Sequence, residues 1–311
     1  MSRFGANRPP PPSDEELKAA EVDLERIRQG SIPLGAEQRL KRVASASTPF
    51  FTSDLSAKEY ALAEAGGLQP VAQVMGSSVV QHGWGANQAG TYWGSSEVRS
   101  LSDPWNLARS RAFNRLREEA QLAGADGVIG IELSVGGSLQ IAGTVEFVVF
   151  GTAVRDRAVP RRQDGGLAMC ALSGQDVDKL RRIGAQVCDV IGHTTVVSVA
   201  LQMSSNYLLN SSGWLGGAGN AEIVEITEGV YEARRIAMAE ARRQAAAAGA
   251  NNIVISVLRH SIEHREYDSG GGRRHYFYVT MHVLGTAIRI GAHPPHPARM
   301  TGPTLSINLG K

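Results

Sequence analysis

With 311 residues, 42% hydrophobic and 20% charged side chains and a formal net charge of +2, the chain has room for two ordinary domains, each with its own core. This balance excludes a disordered chain and gives no electrostatic case for nucleic acid or an anionic membrane as partner. The two cysteines, Cys170 and Cys188, cannot form a disulfide framework, and no apolar run reaches the ~20 residues of a spanning helix. The first residues, MSRFGANRPPPPSDEE, lack the apolar stretch of a signal peptide, so the expectation is a cytoplasmic protein that does not insert into a membrane.

In chain order, residues 1–47 read as an N-terminal arm and helix. Pro9 to Pro12 form a stiff polyproline lead-in, and Ser13 with Glu16 then makes a capping box. Leu17, Ala20, Val22, Leu24 and Ile27 carry an amphipathic helix to a stop at Gly30. Its heavy charge leaves three settings open: its own domain, a neighbouring subunit, or solvent. A first unit spans residues 48–155. Thr48 to Thr52 is a short β-like run, Ser56 and Glu59 open a helix to Ala65, and Leu68 to Gln81 reads as a long strand bent near Gly76. His82 to Ser100, rich in Gly, Asn and Ser, reads as loop. Ser102 or Asp103 is expected to cap a long helix, with Pro104 at its first position, where a missing N–H costs nothing. Gly124 ends that helix, and the strands Gly127 to Val135 and Thr144 to Val154 follow.

Residues 156–166 form a linker, residues 167–289 retrace the first unit, and residues 290–311 are a tail bearing Pro and His. LARSRAFNRLREEAQLAGADGVIGI (Leu107 to Ile131) aligns without a gap on EARRIAMAEARRQAAAAGANNIVIS (Glu232 to Ser256). GAQVCDVIG (Gly184 to Gly192) matches GLQPVAQVMG (Gly67 to Gly76), which sets Cys188 against Ala72 and His193 against Ser77. MHVLGTAIR (Met281 to Arg289) matches FVVFGTAVR (Phe147 to Arg155). Extra length in the second copy falls in a Gly-rich loop at Asn206 to Asn220 and in the last hairpin around Asp268 to Gly272, both loop positions. Ala108, Ala112, Leu116 and Ala120, and again Ala233, Ala237, Ala241 and Ala245, lay a small-residue row along one helical face, suited to close approach of a sheet.

The motif L-A-R-x-x-A-x-x-R-L-x-x-E-A-x-x-x-G-A-D-x-V-x-G, from Leu107 to Gly130 and closed by Phe150-Gly151-Thr152-Ala153-Val154, resembles the YbjQ-like (UPF0145) domain, a family labelled for heavy-metal binding. The second copy is similar but diverged. It keeps Ala233-Arg234, Gly249-Ala250 and Gly285-Thr286-Ala287, with Asn251 for the Asp of the turn and Asn252 for the following Gly. The resemblance implies an α+β fold: two repeats of a small antiparallel sheet with helices packed on one face. It also implies a ring, typically a pentamer, with strands continuing between subunits; two copies per chain suggest five chains in two stacked layers.

The leading expectation is therefore a non-enzymatic, ring-forming homo-oligomeric scaffold that meets a protein partner through its N-terminal arm or loops. The alternative is a module in the second unit that binds a small molecule or a soft transition metal such as zinc or copper. A soft-metal site needs thiolates or imidazoles converging on one point. Cys170, Cys188 and His193 are the weak candidates, and none has a counterpart in the first unit. His260 and His264, in a predicted strand, would stand ~13 Å apart on one face, too far for one ion. His275 and His282 on the partner strand allow cross-strand pairs, with a polar surface hairpin as the simpler reading. His293 and His296 in the tail suit adventitious metal. No Gly-rich run is followed by the Lys-Ser/Thr of a phosphate loop, and no G-x-S-x-G elbow occurs. Trp84, Trp93 and Trp214 sit in Gly-rich loops, which could line a ligand pocket or seal a subunit interface; the interface is the stronger reading, because large aromatics on such loops often anchor contacts.

Overall fold

A computed structural model describes residues 13–45, 53, 55–81, 94–136, 143–157, 166–202, 222–268 and 273–291. The polyproline lead-in, the run Thr48 to Thr52, the loop Asn206 to Asn220, the three loop tryptophans and His293 and His296 lie outside the described residues. No helix among the described residues is long and apolar enough to cross a membrane.

Helix α1 (Asp14–Arg28) starts at the capping box: Ser13 Oγ accepts the Glu16 N–H, and the Glu16 carboxylate accepts the Ser13 N–H at 2.7 Å. α1 buries no residue and leaves Leu17, Val22 and Leu24 about half exposed. A helix absent from the sequence reading, α2 (Leu34–Ser45), follows it. Asp23 accepts the Leu34 N–H at 2.7 Å and Arg26 donates to Ile32 O at 2.9 Å, which folds the chain back so that Leu40 and Ile32 bury against Ala72 and Ala123. α2 carries a helical signal of its own, with Ala36, Glu37, Gln38, Arg39, Leu40 and Lys41 all good helix formers, which the stop at Gly30 overshadowed.

The remaining elements are α3 (Ala57–Ala65), β1 (Leu68–Gln81), β2 (Ser95–Glu97), α4 (Arg99–Leu122), β3 (Gly127–Gly136), β4 (Thr144–Asp156), β5 (Ala168–Met169), α5 (Gly174–Arg182), β6 (Ala185–Ala200), α6 (Val224–Ala247), β7 (Asn252–Asp268) and β8 (Arg273–Ile290). They build two four-stranded sheets, β1-β4-β3-β5 (sheet A) and β2-β6-β8-β7 (sheet B). The sheets exchange short edge strands. β2 precedes α4 in the chain yet pairs with β6, and β5 follows β4 yet pairs with β3. The β3–β5 pair is parallel, so the expectation of purely antiparallel sheets needs correcting. Sequence periodicity carries no information about strands of two or three residues.

α4 lies between the two sheets. Its row Ala108, Ala112, Leu116 and Ala120 is fully buried with Val74, Val128, Phe147 and Val149 of sheet A, and Leu284, Val190 and Val257 of sheet B reach the same core. The corresponding row of α6, Ala233 to Ala245, packs on Ile191, Val197, Val279 and Met281, the opposite face of sheet B. The layers therefore run sheet A, α4, sheet B, α6. Both long helices end at a glycine with positive φ, Gly124 at 68° and Gly249 at 72°. Arg155 donates to the Gly124 carbonyl and Arg289 to that of Gly249. Asp126 accepts the Asp156 N–H, and Asn251 accepts that of Ile290. The Asp-to-Asn difference in the turn keeps the acceptor oxygen and so keeps the structure.

Two local expectations change. α4 begins at Arg99, not after Ser102 or Asp103, and Pro104 lies inside it. Ser102 and Asp103 are not its cap because Ser102 Oγ is committed to sheet B, and Val98, whose N–H bonds Val196 O, holds the N-terminal position. β1 carries its irregularity at Pro70/Ala72, a β-bulge, and pairs in register through Gly76. Gly76 serves a different need. A Cβ there would fall on the Ala112 carbonyl oxygen, so the absent side chain is what lets α4 sit down on β1. Gly76→Ala should destabilise the chain by roughly 2 kcal/mol or more through forced separation of helix and sheet. Gly35→Ala, where a Cβ meets nothing within 4 Å, should be neutral or stabilising by up to about 1 kcal/mol. Urea denaturation of the two variants checks both.

Candidate functional site

The most polar buried region is the seam where α4 meets sheet B. Asn106 donates to Thr194 O at 2.8 Å and accepts the Thr194 N–H at 3.1 Å, pairing with the backbone as a neighbouring strand would. Ser102 Oγ accepts the Val196 N–H at 2.9 Å. Together with β2 these side chains satisfy the edge of β6, which would otherwise be buried unpaired. Trp105 stands edge-on to His282, ring centroids 5.0 Å apart, and His282 Nδ1 lies 2.9 Å from Thr194 Oγ1. Arg109 lies against Gly192, and its Nε is shut off from solvent without a hydrogen-bond partner among the described residues. Burial lowers its guanidinium to about 10, partly offset by Glu240. Burial likewise lowers His193 to about 4, assisted by the positive charge of Arg109, and lowers His282 to about 4, assisted by Arg259.

Strand pairing corrects the alignment of the two units. Val74 faces Gly151 and Ile191 faces Gly285, so the two are equivalent; His193 then corresponds to Gly76 and Cys188 to Val71, each one residue from the sequence alignment. The slip arises because the sequence match pairs Gly192 with Gly76 across runs of nine and ten residues; the bulges, at Pro70/Ala72 and at Val187/Asp189, fall at equivalent positions and leave the offset unchanged.

The three candidate metal ligands occupy separate surroundings. Cys170 is enclosed by Ala63, Ile129, Val154 and Val177, with its thiol donating to Leu172 O at 3.6 Å. Burial pushes that thiol up to about 11. Cys188 is half-buried beside the α6 core, its thiol 3.9 Å from Gln186 O. His193 belongs to the Arg109 seam. The group of three potential ligands that does converge among the described residues is a different one: His264, Glu266 and His275, on the β7–β8 hairpin, with ligand atoms all within 4.8 Å of one another. His260 faces Met281 and His282 faces Arg259, so neither joins it. The sequence reading raised His264 and His275 but lacked the register, and Glu266 went unnoticed because a lone carboxylate in a strand carries no signal.

A family profile described as "Putative heavy-metal-binding" matches residues 71–157. The chain is 35% identical over 208 residues to the Encapsulin nanocompartment protein Rv1762c of Mycobacterium tuberculosis, covering 66% of this chain and 76% of that protein. It is 42% identical over 59 residues to the UPF0145 protein NT01CX_0170 of Clostridium novyi, and 40% over 58 residues to a UPF0145 protein of Methanococcus vannielii. The chain spans about half the length of these last two, 55% and 53%. Residues 71–157 contain no cysteine, and their one histidine, His82, lies outside the described residues, so the matched stretch does not fit a soft metal.

Two outcomes test these environments. At pH 8, Ellman's reagent should leave Cys170 unreacted in the native chain and detect it only in denaturant, since burial disfavours its thiolate. His193 and His282 stay neutral in the fold until pH falls to about 4, whereas the unfolded chain protonates them near the ordinary 6.5. The unfolded state binds more protons between those values, so stability should be complete above about pH 6.5 and decline toward pH 4. Urea midpoints measured across that window should decline less in a His193→Gln/His282→Gln variant.

Proposed function

The chain belongs to the YbjQ-like (UPF0145) family, and on that footing we propose that it is a non-enzymatic homo-oligomeric scaffold of two YbjQ-like copies, extended from chain to chain by the seam that joins them. One observation carries the proposal: the chain makes this seam once and leaves the matching surfaces for a second. By strand register, Gly192, Thr194 and Val196 of β6 correspond to Met75, Ser77 and Val79 of β1. On β6 they are covered by Arg109, Asn106, Leu101 and Trp105 of α4, and Val196 is 3% exposed. On β1 the side chains of Met75 and Val79 are 43% and 54% exposed, while the Ser77 carbonyl already accepts from Arg115 and the Met75 N–H donates to Glu119. The α6 residues aligned with Asn106 and Arg109 are Tyr231 and Arg234, and Tyr231 is 67% exposed. β1 and β7 also remain the edge strands of their sheets, and long edge strands are templates for pairing.

Docking α6 of one chain on sheet A of the next would set Tyr231 and Arg234 against Met75 and Val79, in the place that Asn106 and Arg109 take on β6, as an apolar contact without the paired Asn106 hydrogen bonds. Such a contact joins two different surfaces, head to tail, and generates a ring when its rotation closes. Each chain contributes two copies in succession, so the ring holds an even number of copies. Five chains, the number the family resemblance favours, then make one circuit of ten copies rather than two stacked tiers. The name of the mycobacterial relative suggests the setting, an encapsulin nanocompartment, and we extend it to this chain. The surface proposed to meet such a protein shell is α1, whose Leu17 and Leu24 are exposed on an otherwise charged helix.

Mass photometry of the wild-type chain at micromolar concentration should give a multiple of 33.2 kDa; a monomer would refute the proposal. Val79→Glu and Tyr231→Glu should each reduce the particle to single chains while changing chain stability by no more than about 0.5 kcal/mol, because both sites are exposed in the single chain. Arg109→Glu, at the equivalent seam inside the chain, should instead cost about 3 kcal/mol or more of stability by placing a carboxylate in a buried site.

A further inference from the structure

We propose that His264, Glu266 and His275 form a binding site for a divalent first-row transition-metal ion. The site lies on the lengthened hairpin of the second copy, away from the assembly seam. Glu266 faces His275 and His264 faces Phe277 across the β7–β8 ladder. Alternate residues of a strand share a face, so all four side chains lie on one side of the hairpin. His264 Nε2 and His275 Nδ1 are 2.8 Å apart, and Glu266 Oε1 is 3.7 Å from the same Nδ1. The two ring centroids are only 5.0 Å apart with planes inclined by 22°. A nitrogen contact that short, at that centroid separation, requires the rings to meet edge to edge, with their nitrogens pointing at each other. The two lone-pair directions then lie along one line, and an ion shared beside that line needs each ring to turn toward it by roughly 35°.

The site is anchored on one side and open on the other. The His275 side chain is 6% exposed, whereas Glu266 is 47% exposed and gives an ion access from solvent. The His264 ring lies flat on Phe277, centroids 4.7 Å apart, which limits its rotation. At present one imidazole donates a hydrogen to the other. Metal binding moves that hydrogen to the donor ring's second nitrogen, so that each ring presents a lone pair and no proton leaves the pair. Metal–nitrogen bonds of about 2.0–2.1 Å in tetrahedral geometry spread the two nitrogens by roughly half an ångström, within reach of side-chain rotation. Two imidazoles and one carboxylate suit zinc and its neighbours rather than calcium or magnesium, and leave a coordination position for water or a fourth ligand.

The placement also gives the ion something to do. β6 ends opposite Tyr276, so among the described residues the hairpin is two strands wide from His275 outward. Isolated two-stranded hairpins are marginal in water, and an ion tying β7 to β8 at this point would staple the projecting arm.

The test is isothermal titration of the purified full chain with zinc chloride, in a His293→Ala/His296→Ala background that removes tail binding. One zinc per chain is expected, with a rise in Tm on loading. His264→Ala and His275→Ala should each weaken binding by at least about a hundredfold, more than the loss seen when only a supporting contact is removed. Cys170→Ser/Cys188→Ser should leave it unchanged. Glu266→Gln, a change at an exposed position that spares the fold, should weaken it by about tenfold or more. Absence of zinc uptake at micromolar concentration overturns the proposal. So does wild-type affinity in a folded His264→Ala/His275→Ala variant, or loss of binding in the cysteine variant.

Discussion

The close approach of α4 to two sheets at once is the constraint on which the rest of the structure depends. A helix can serve two sheets only if its near faces are nearly flat. The alanine row supplies that toward sheet A, and Gly76 removes the one β1 side chain that would hold the helix off. Toward sheet B the same helix presents Ser102, Asn106 and Arg109, which replace a missing neighbour strand with side-chain hydrogen bonds and cover Gly192. One helix thus organises a hydrophobic core on one side and a polar seam on the other.

That seam explains residues which look chemically active in isolation. His193, His282 and Arg109 are the kinds of group that mark catalytic sites when their proton affinities shift. Here the main cause of each shift is burial, of Arg109 and His282 between α4 and sheet B and of His193 on the β6 face it shares with Ile191 and Val197, within reach of Arg109 and of Glu240 and Arg243 of α6. The polar residues fix register: Asn106 reads the Thr194 backbone from both sides, and a one-residue slide of α4 along β6 would break both bonds. Apolar contacts alone would tolerate that slide far better.

The copies diverge where the seam makes no demand. Motif positions that support the turn keep their atoms even when the residue changes, as Asp126 and Asn251 do. The hairpin β7–β8 runs past the end of β6, beyond the core, and there the second copy carries a histidine pair with no counterpart in the first. Helix-ending turns and buried alanine rows thus recur in both halves of the chain, and the converging histidine pair occurs in one.

The sequence by itself determined the elements with strong local signals. The capping boxes at Ser13 and Ser56 start helices, glycines 124 and 249 end them, and the alanine rows identify the faces buried against sheets. These are decided by dihedral preference and hydrogen bonds within a few residues, so any chain carrying them shows them. Tertiary structure decided everything that depends on a distant partner. β2 and β5 are strands only because a sheet edge accepts them, and the place where α2 docks is set by Leu40 meeting Ile32, Ala72 and Ala123. The register that sets His193 against Gly76, and the one that sets Glu266 opposite His275, are properties of paired strands. A single strand has period two and no marker of absolute register. Which side chains meet is therefore settled only when the partner strand is in place.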